Sequence, residues 1–266
     1  MKAILGLALF MLAGCASNGY TKFYTAKPNS AELLASPNNE KAPAQPKVLT
    51  VSQQNAKSTF EDLRRHGYIM FAESSFYGPA SKTTNDQAIE QAQKVGAALV
   101  TIGISYHDTL SGTNSFTLPG APVTSTVTTN GNVGGYYYNA NSTVTTPGAP
   151  QQYNIPYSVD RNDFWAGYWV HQNISSYKFG GQLADLPADV RSSLHRNTGV
   201  WVPVVVVGTP AFLANVMDGD VVTKINDQDV TDQASFRKQL EQFSGQPVTI
   251  AVLRGNEQLS IKMTLH

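Results

Sequence analysis

A single cysteine, Cys15, stands among 266 residues, so no internal disulfide is available to the chain. Charge is almost as scarce. Only 14% of residues are Asp, Glu, Lys or Arg, and 19 of each sign cancel. No global field exists to gather nucleic acid, and no basic stripe compensates locally. The N-terminal apolar run, Ala3 to Leu12, has about half the roughly 20 residues a helix needs to cross a bilayer. The five histidines, His66, His107, His171, His195 and His266, show no metal-ligand spacing, and no phosphate loop or dinucleotide fingerprint occurs. No cofactor or metal is therefore expected.

What is present begins with an export signal over residues 1–14: Lys2 supplies a positive charge, the apolar run follows, and small residues close it. The sequence Leu12-Ala13-Gly14-Cys15 resembles the lipobox of bacterial lipoproteins, which implies a lipidated Cys15 as the membrane attachment. By the same resemblance, Ala16 and Ser17 imply the outer membrane. Residues 15–55, rich in Pro, Ala, Ser, Asn, Lys and Gln, read as a tether with a reach of roughly 35 Å. Within it, the aromatics of "YTKFY" either dock on the folded part or lie at the lipid interface.

The first folded region, 56–176, reads as helix, strand, helix, strand, a small two-layer α/β unit within an α+β chain. Gly67 and Gly96 are placed to end the helices, and Asn85 or Asp86 to cap the second. Residues 109–150 are almost wholly Thr, Ser, Gly, Asn, Pro and Tyr. There "TSTVTT" at 124 recurs as "NSTVTT" at 141, around the Asn-Gly of "TNGNVGG". That pattern suits a protruding β-hairpin, the alternative being a long unstructured loop. Its Tyr136, Tyr137 and Tyr138 either form a contact surface or pack on the opposite strand. Trp165 and Trp169 share one face of a closing strand, as core or as a stacking platform. The pattern "GYIMFAESSF" with "KVGAALV" and "FWAGYW" is similar to small domains of exported bacterial lipoproteins.

Residues 177–266 follow one plan. Val204 to Val207 forms a strand, Thr209 caps a short helix opened by Pro210, and Asp232 caps a helix carrying Phe236, Leu240 and Phe243. Val248, Ile250 and Val252 alternate before "RGNE", and Leu259, Ile261, Met263 and Leu265 alternate after it, which makes a terminal hairpin. With the motif "GTPA" followed by "GDVV" and "IN", this succession resembles the PDZ domains of HtrA-type proteases, and the resemblance implies a PDZ-like β-barrel or sandwich. It also implies a peptide site in which a C-terminus adds as a strand beside a helix. The carboxylate loop would be Lys178, Phe179, Gly180 and Gly181; Phe236, Arg237 and Leu240 would face it from the helix. Gly181 departs from the family's apolar residue, and "KFGG" has a plainer reading as a linker turn.

The protease that the resemblance brings to mind is not expected. A two-barrel catalytic domain does not fit in the preceding 120 residues, no "GNSGG"-like turn occurs, and His107 and Asp108 are adjacent rather than apart. Glu73 and Asp108 remain as a conceivable acid–base pair. The expectation is a non-catalytic, lipid-anchored envelope protein, facing the periplasm, that binds peptide C-termini or extended segments of envelope proteins. The alternative is an assembly protein whose groove is filled internally and whose hairpin makes the contacts. The oligomeric state is left open.

Overall fold

The computed structural model describes residues 18–266; Cys15 and the export signal lie outside the described residues. The chain divides into two compact units. One runs to Ser105 and resumes over Asn162–His266; the other is Tyr106–Arg161.

In the first unit, α1 (Gly19–Lys22), β1 (Tyr24–Ala26), α2 (Ser30–Leu34) and β2 (Lys47–Val51) occupy the segment expected to be a tether. α3 (Ala56–Arg65), β3 (Tyr68–Pro79) and α4 (Asn85–Lys94) follow, then the long β4 (Leu99–Val133) and β5 (Tyr136–His171). Their sheet has the order β1-β3-β5-β4-β2; β1 is antiparallel to β3 and β2 parallel to β4. The tether reading is corrected from residue 18 onward, and the physical reason is local. Tyr20 is wholly buried, edge-on to Phe76 at 5.0 Å, and Val51 is buried as well. Two added strands satisfy their backbone on the sheet. A few well-placed anchors thus offset an ordering entropy that composition alone makes prohibitive.

The sheet buries both of its faces. Ala88 and Ala92 of α4 pack with Tyr20, Phe71, Ile102, Phe164, Ala166 and Tyr168 on one side. Leu63 of α3 packs with Leu99 and Trp169 on the other. Helices therefore cover two faces, not the single one of a two-layer unit. Alternation explains it: Phe164, Ala166 and Tyr168 point one way, and Trp165 and Trp169 the other, where Phe60 lies 5.3 and 5.5 Å from the two indoles. Gly67 and Gly96 take positive φ, 80° and 69°, after their helices. The residue that opens α4 is Thr84, whose N–H donates to Gln87 Oε1 at 3.3 Å; Asn85 and Asp86 sit inside the helix.

The remainder of this unit is β6 (Gly181–Ala184), α5 (Ala188–Leu194), β7 (Val200–Val205), α6 (Pro210–Leu213), β8 (Val221–Ile225), β9 (Gln228–Asp229), α7 (Gln233–Gln242), β10 (Pro247–Arg254) and β11 (Glu257–Thr264). The sheet order is β11-β10-β8-β7-β6, with β9 on β8. The sheet is open, with β11 at one end and β6 at the other, which corrects the expected barrel. One core holds it: Phe179, Val200, Val202, Ile225, Phe236, Ile250 and Val252 among others. Asn215 and Asn226 adopt left-handed conformations at φ 62° and 51°, as short polar side chains tolerate.

The second unit consists of the outer parts of β4 and β5, joined by a two-residue turn in which Gly134 and Gly135 both have positive φ, 65° and 90°. Across the strands Asp108 meets Arg161, Thr109 meets Asp160, Ser115 meets Asn154, Phe116 meets Tyr153, and Thr124 meets Thr145. Each step outward on β4 is matched by one step back on β5, so this antiparallel register runs unshifted from Asp108 to Thr124. The two strands turn at Gly134-Gly135 and not at the Asn130-Gly131 that local chemistry suggests. Arg161 holds the Asp108 carboxyl below its usual range, chiefly through its side-chain hydrogen bond.

Candidate functional site

Strand β6 is the last strand of its sheet, so on its outer side every second backbone N–H and C=O meets no neighbouring strand among the described residues. Just before it, the chain turns through Lys178, Phe179 and Gly180. Gly180 has φ 98°, and a Cβ there would come within 2.0 Å of Thr209 Cβ. Only glycine fits, and the close approach is fixed by Thr209, whose hydroxyl donates to the carbonyls of Gly180 (3.1 Å) and Val206 (2.6 Å). This hydroxyl ties the loop down rather than capping α6, the role its position suggests. The Phe179 carbonyl accepts from Ala211 N–H at 2.8 Å and the Gly180 carbonyl from Val206 N–H at 2.8 Å.

With both carbonyls engaged, the loop presents its nitrogens. Among the described residues no acceptor is bonded to the N–H of Phe179 or of Gly180. Consecutive amides in a glycine-bearing turn form a concave donor pair suited to an anion such as a terminal carboxylate. Gly181 is small for a packing reason: a Cβ would lie 2.9 Å from Val202 Cγ1 and 3.1 Å from the Phe179 ring. The edge of the Phe179 ring and the Val202 side chain take the space that a larger side chain at 181 would need.

Helix α7 supplies the facing wall. Asp232 caps it, accepting from Ser235 N–H at 2.7 Å, and that backbone bond holds the Asp232 carboxyl below its usual range. Phe236 is fully buried and stands edge-on to Phe179 at 5.1 Å, with Leu240 one turn on. These three are floor, not open walls. Along the outer stripe of α7, Gln233 donates to Asp185 at 3.2 Å and Glu241 pairs with Lys178. Arg237, exposed, lies between them on the same stripe. The space between β6 and α7 is thus spanned at each end by a side-chain pair.

Lys178, the first residue of the expected carboxylate loop, is occupied by Glu241, 63 positions away in sequence, a partner no local pattern reveals. Asp185, Gln233 and Glu241 are the residues sequence reasoning missed. The four-residue spacing of 233, 237 and 241 is a signal for the two helix residues, and Asp185 has none. The Glu73 and Asp108 pair does not form a site in which both are free: Glu73 lies 3.3 Å from Lys27, and Asp108 pairs with Arg161. Among the described residues no cluster of three or more metal-ligating side chains occurs, and no helix is long and apolar enough to cross a membrane.

A family profile described as a PDZ domain matches residues 181–265. Over 55 residues the chain is 36% identical to the protein called Protease Do-like 8, chloroplastic, of Arabidopsis thaliana, a match spanning 20% of this chain and 12% of that protein. The HtrA3 PDZ domain bound to a phage-derived ligand superposes with a TM-score of 0.31 at 20% identity, covering 34% of this chain and 86% of that one. The HtrA-type protease AlgW with a decapeptide gives a TM-score of 0.30 at 20% identity, over 38% and 37%. The chain therefore carries a PDZ domain over residues 181–265, and a 55-residue stretch of its sequence is similar to that Do-like protease.

Proposed function

We propose that this protein is a non-catalytic, lipid-anchored protein of the cell envelope whose PDZ domain captures the C-termini, or extended segments, of other envelope proteins. The observation that carries the reading is the free edge of β6 ending in two unengaged amides, those of Phe179 and Gly180, beside α7. A visiting strand continues the sheet on that edge, and the amides receive its carboxylate. Anchoring rests on the Leu-Ala-Gly-Cys sequence ending at Cys15, and Ala16 and Ser17 favour the outer membrane, with the periplasm as the compartment served. The recognition domain at 181–265 is what supports an adaptor role.

The two side-chain pairs act as latches on the groove. Lys178 and Glu241 are one-third and nearly three-quarters exposed, so their pairing is worth at most about 1 kcal/mol. Opening it is a small tax on binding. The test is fluorescence anisotropy with a library of C-terminal peptides, each also made with an amidated end. Wild type is expected to bind a subset, amidation to weaken that subset by about tenfold or more, and Glu241→Ala to tighten it by up to about fivefold. Binding indifferent to amidation removes the carboxylate role. No binding by either wild type or the Glu241→Ala variant removes the peptide site.

A further inference from the structure

The outer hairpin, Tyr106–Arg161, contains a stretch with no Asp, Glu, Lys, Arg or His at all: residues 109–159, 51 in number. At the chain-wide 14% charged fraction, such a length would carry about seven charges. Exclusion from one face of a ribbon suits an aqueous protein interface, whose other face and rim stay charged. Here both faces are neutral.

The register divides those faces. In the lower part, 110–118 against 151–159, Leu110, Phe116, Leu118, Tyr153, Ile155 and Tyr157 fall on one face and are all exposed, with Gly112, Asn114, Gln151 and Val159 between them on the same face. The opposite face is serine, threonine, asparagine and glutamine, with Pro156 among them. Phe116 stacks on Tyr153 at 5.7 Å, and the Tyr157 ring lies against Gly112, where a Cβ would come within 2.6 Å of its hydroxyl. Aromatic cover of a cross-strand glycine in this way pins register in sheets that lack other support. At Pro119-Gly120-Ala121-Pro122, set against Pro147-Gly148-Ala149-Pro150, the pattern inverts: beyond it Val123, Val127, Val133, Val144, Tyr136 and Tyr138 lie on the other face. The first apolar band is therefore nine residues tall. At about 3.3 Å per residue and a strand tilt of roughly 40°, it spans about 23 Å, close to the roughly 25 Å lipid-facing band of transmembrane barrels.

The geometry points to a membrane-inserting role for this hairpin: copies of residues 109–159 from several chains pair edge to edge, β4 of one with β5 of the next, into a closed barrel whose lower band faces lipid. Closure follows from the solvent. Inside a bilayer an isolated two-stranded ribbon leaves two open edges, and only a closed barrel satisfies every backbone group. The head-to-tail pairing of unlike edges closes into a ring, and a barrel of about eight strands or more needs about four copies or more. Neutrality of both faces then has a cause, because the polar face also has to pass through the bilayer as the barrel forms. The occupant of the apolar face is lipid, and the occupant of each edge is a second copy.

The test uses the full chain in detergent, mixed with dye-loaded vesicles of phosphatidylethanolamine and phosphatidylglycerol, with chemical cross-linking of the same samples. Wild type is expected to release dye and to give cross-linked species of about four chains or more. Ile155→Arg, on the lipid face, is expected to cut release by about thirtyfold or more. Asn154→Arg, the adjacent residue on the opposite face, is expected to keep release and shift ion preference toward anions. Matching far-ultraviolet circular dichroism of the two variants shows that neither simply fails to fold. No release by wild type overturns the proposal. So does equal loss in both variants, and so does a dimer in buffer that releases nothing, which identifies an aqueous pairing surface instead.

Discussion

Residues 177–266 and residues 106–161 are both β-rich, yet they spend their apolar side chains in opposite ways. In the PDZ domain Phe179, Phe236, Ile225 and Ile250 are buried in one core with a helix laid over it. In the hairpin Phe116, Ile155 and Tyr137 are exposed, and no layer of its own covers them. The first region is complete as a folded object, whereas the second is a half-finished sheet. A two-stranded ribbon by itself is at best marginally stable in water, so its order depends on what it joins. The comparison shows that strand content says little about where stability resides; the layer that backs the strands decides it.

The largest expected break in that comparison is a matched pair of truncations. Phe236→Ala removes a fully buried ring that stands edge-on to Phe179, and chemical denaturation should register a loss of about 3–5 kcal/mol. Phe116→Ala in the hairpin removes a ring of the same size from the surface, and the same measurement should move by less than about 0.5 kcal/mol. Equal effects mean that the hairpin is backed after all. Next in size, Gly180→Ala forces a Cβ onto Thr209 at φ 98°, with a loss of about 2–3 kcal/mol and weaker carboxylate binding. The smallest concerns the cap of α7. Asp232 has a lowered carboxyl pKa in the folded chain, so its contribution is present above the unfolded value of about 4 and disappears as pH falls through the lower folded value. Stability of wild type and Asp232→Asn, compared across acidic pH, should therefore differ at neutrality and converge in acid. A gap that persists unchanged at the acid end contradicts the linkage.

The PDZ plan was legible because its signals are local and mutually consistent. Asp232 opens a helix, Pro210 opens a short one, and the alternation of Val248, Ile250 and Val252 fixes a strand; each reading rests on neighbours within a few residues. The N-terminal segment was misread for the opposite reason. Composition averages over forty residues, while order there comes from single anchors, Tyr20 and Val51, and from strand pairings to β3 and β4 that no window contains. The hairpin turn moved from Asn130-Gly131 to Gly134-Gly135 because the register of a long ladder outweighs the propensity of one dipeptide. Within the site, the glycine turn ahead of β6 was visible in the residue types, whereas Phe179, Phe236 and Leu240, expected to face a visiting chain, are buried in the core. The latches were not visible, since Lys178 and Glu241 meet only once the sheet brings the helix beside the loop.

The unshifted pairing of β4 with β5 also limits how the ribbon can change. Adding one residue to a single arm would swap inside for outside along everything below it. Two residues on one arm restore the alternation yet displace all partners, uncoupling Tyr157 from Gly112 and Phe116 from Tyr153. Only growth on both arms together keeps the aromatic locks, so the ribbon's height is adjustable in paired rungs, like a ladder lengthened at its top.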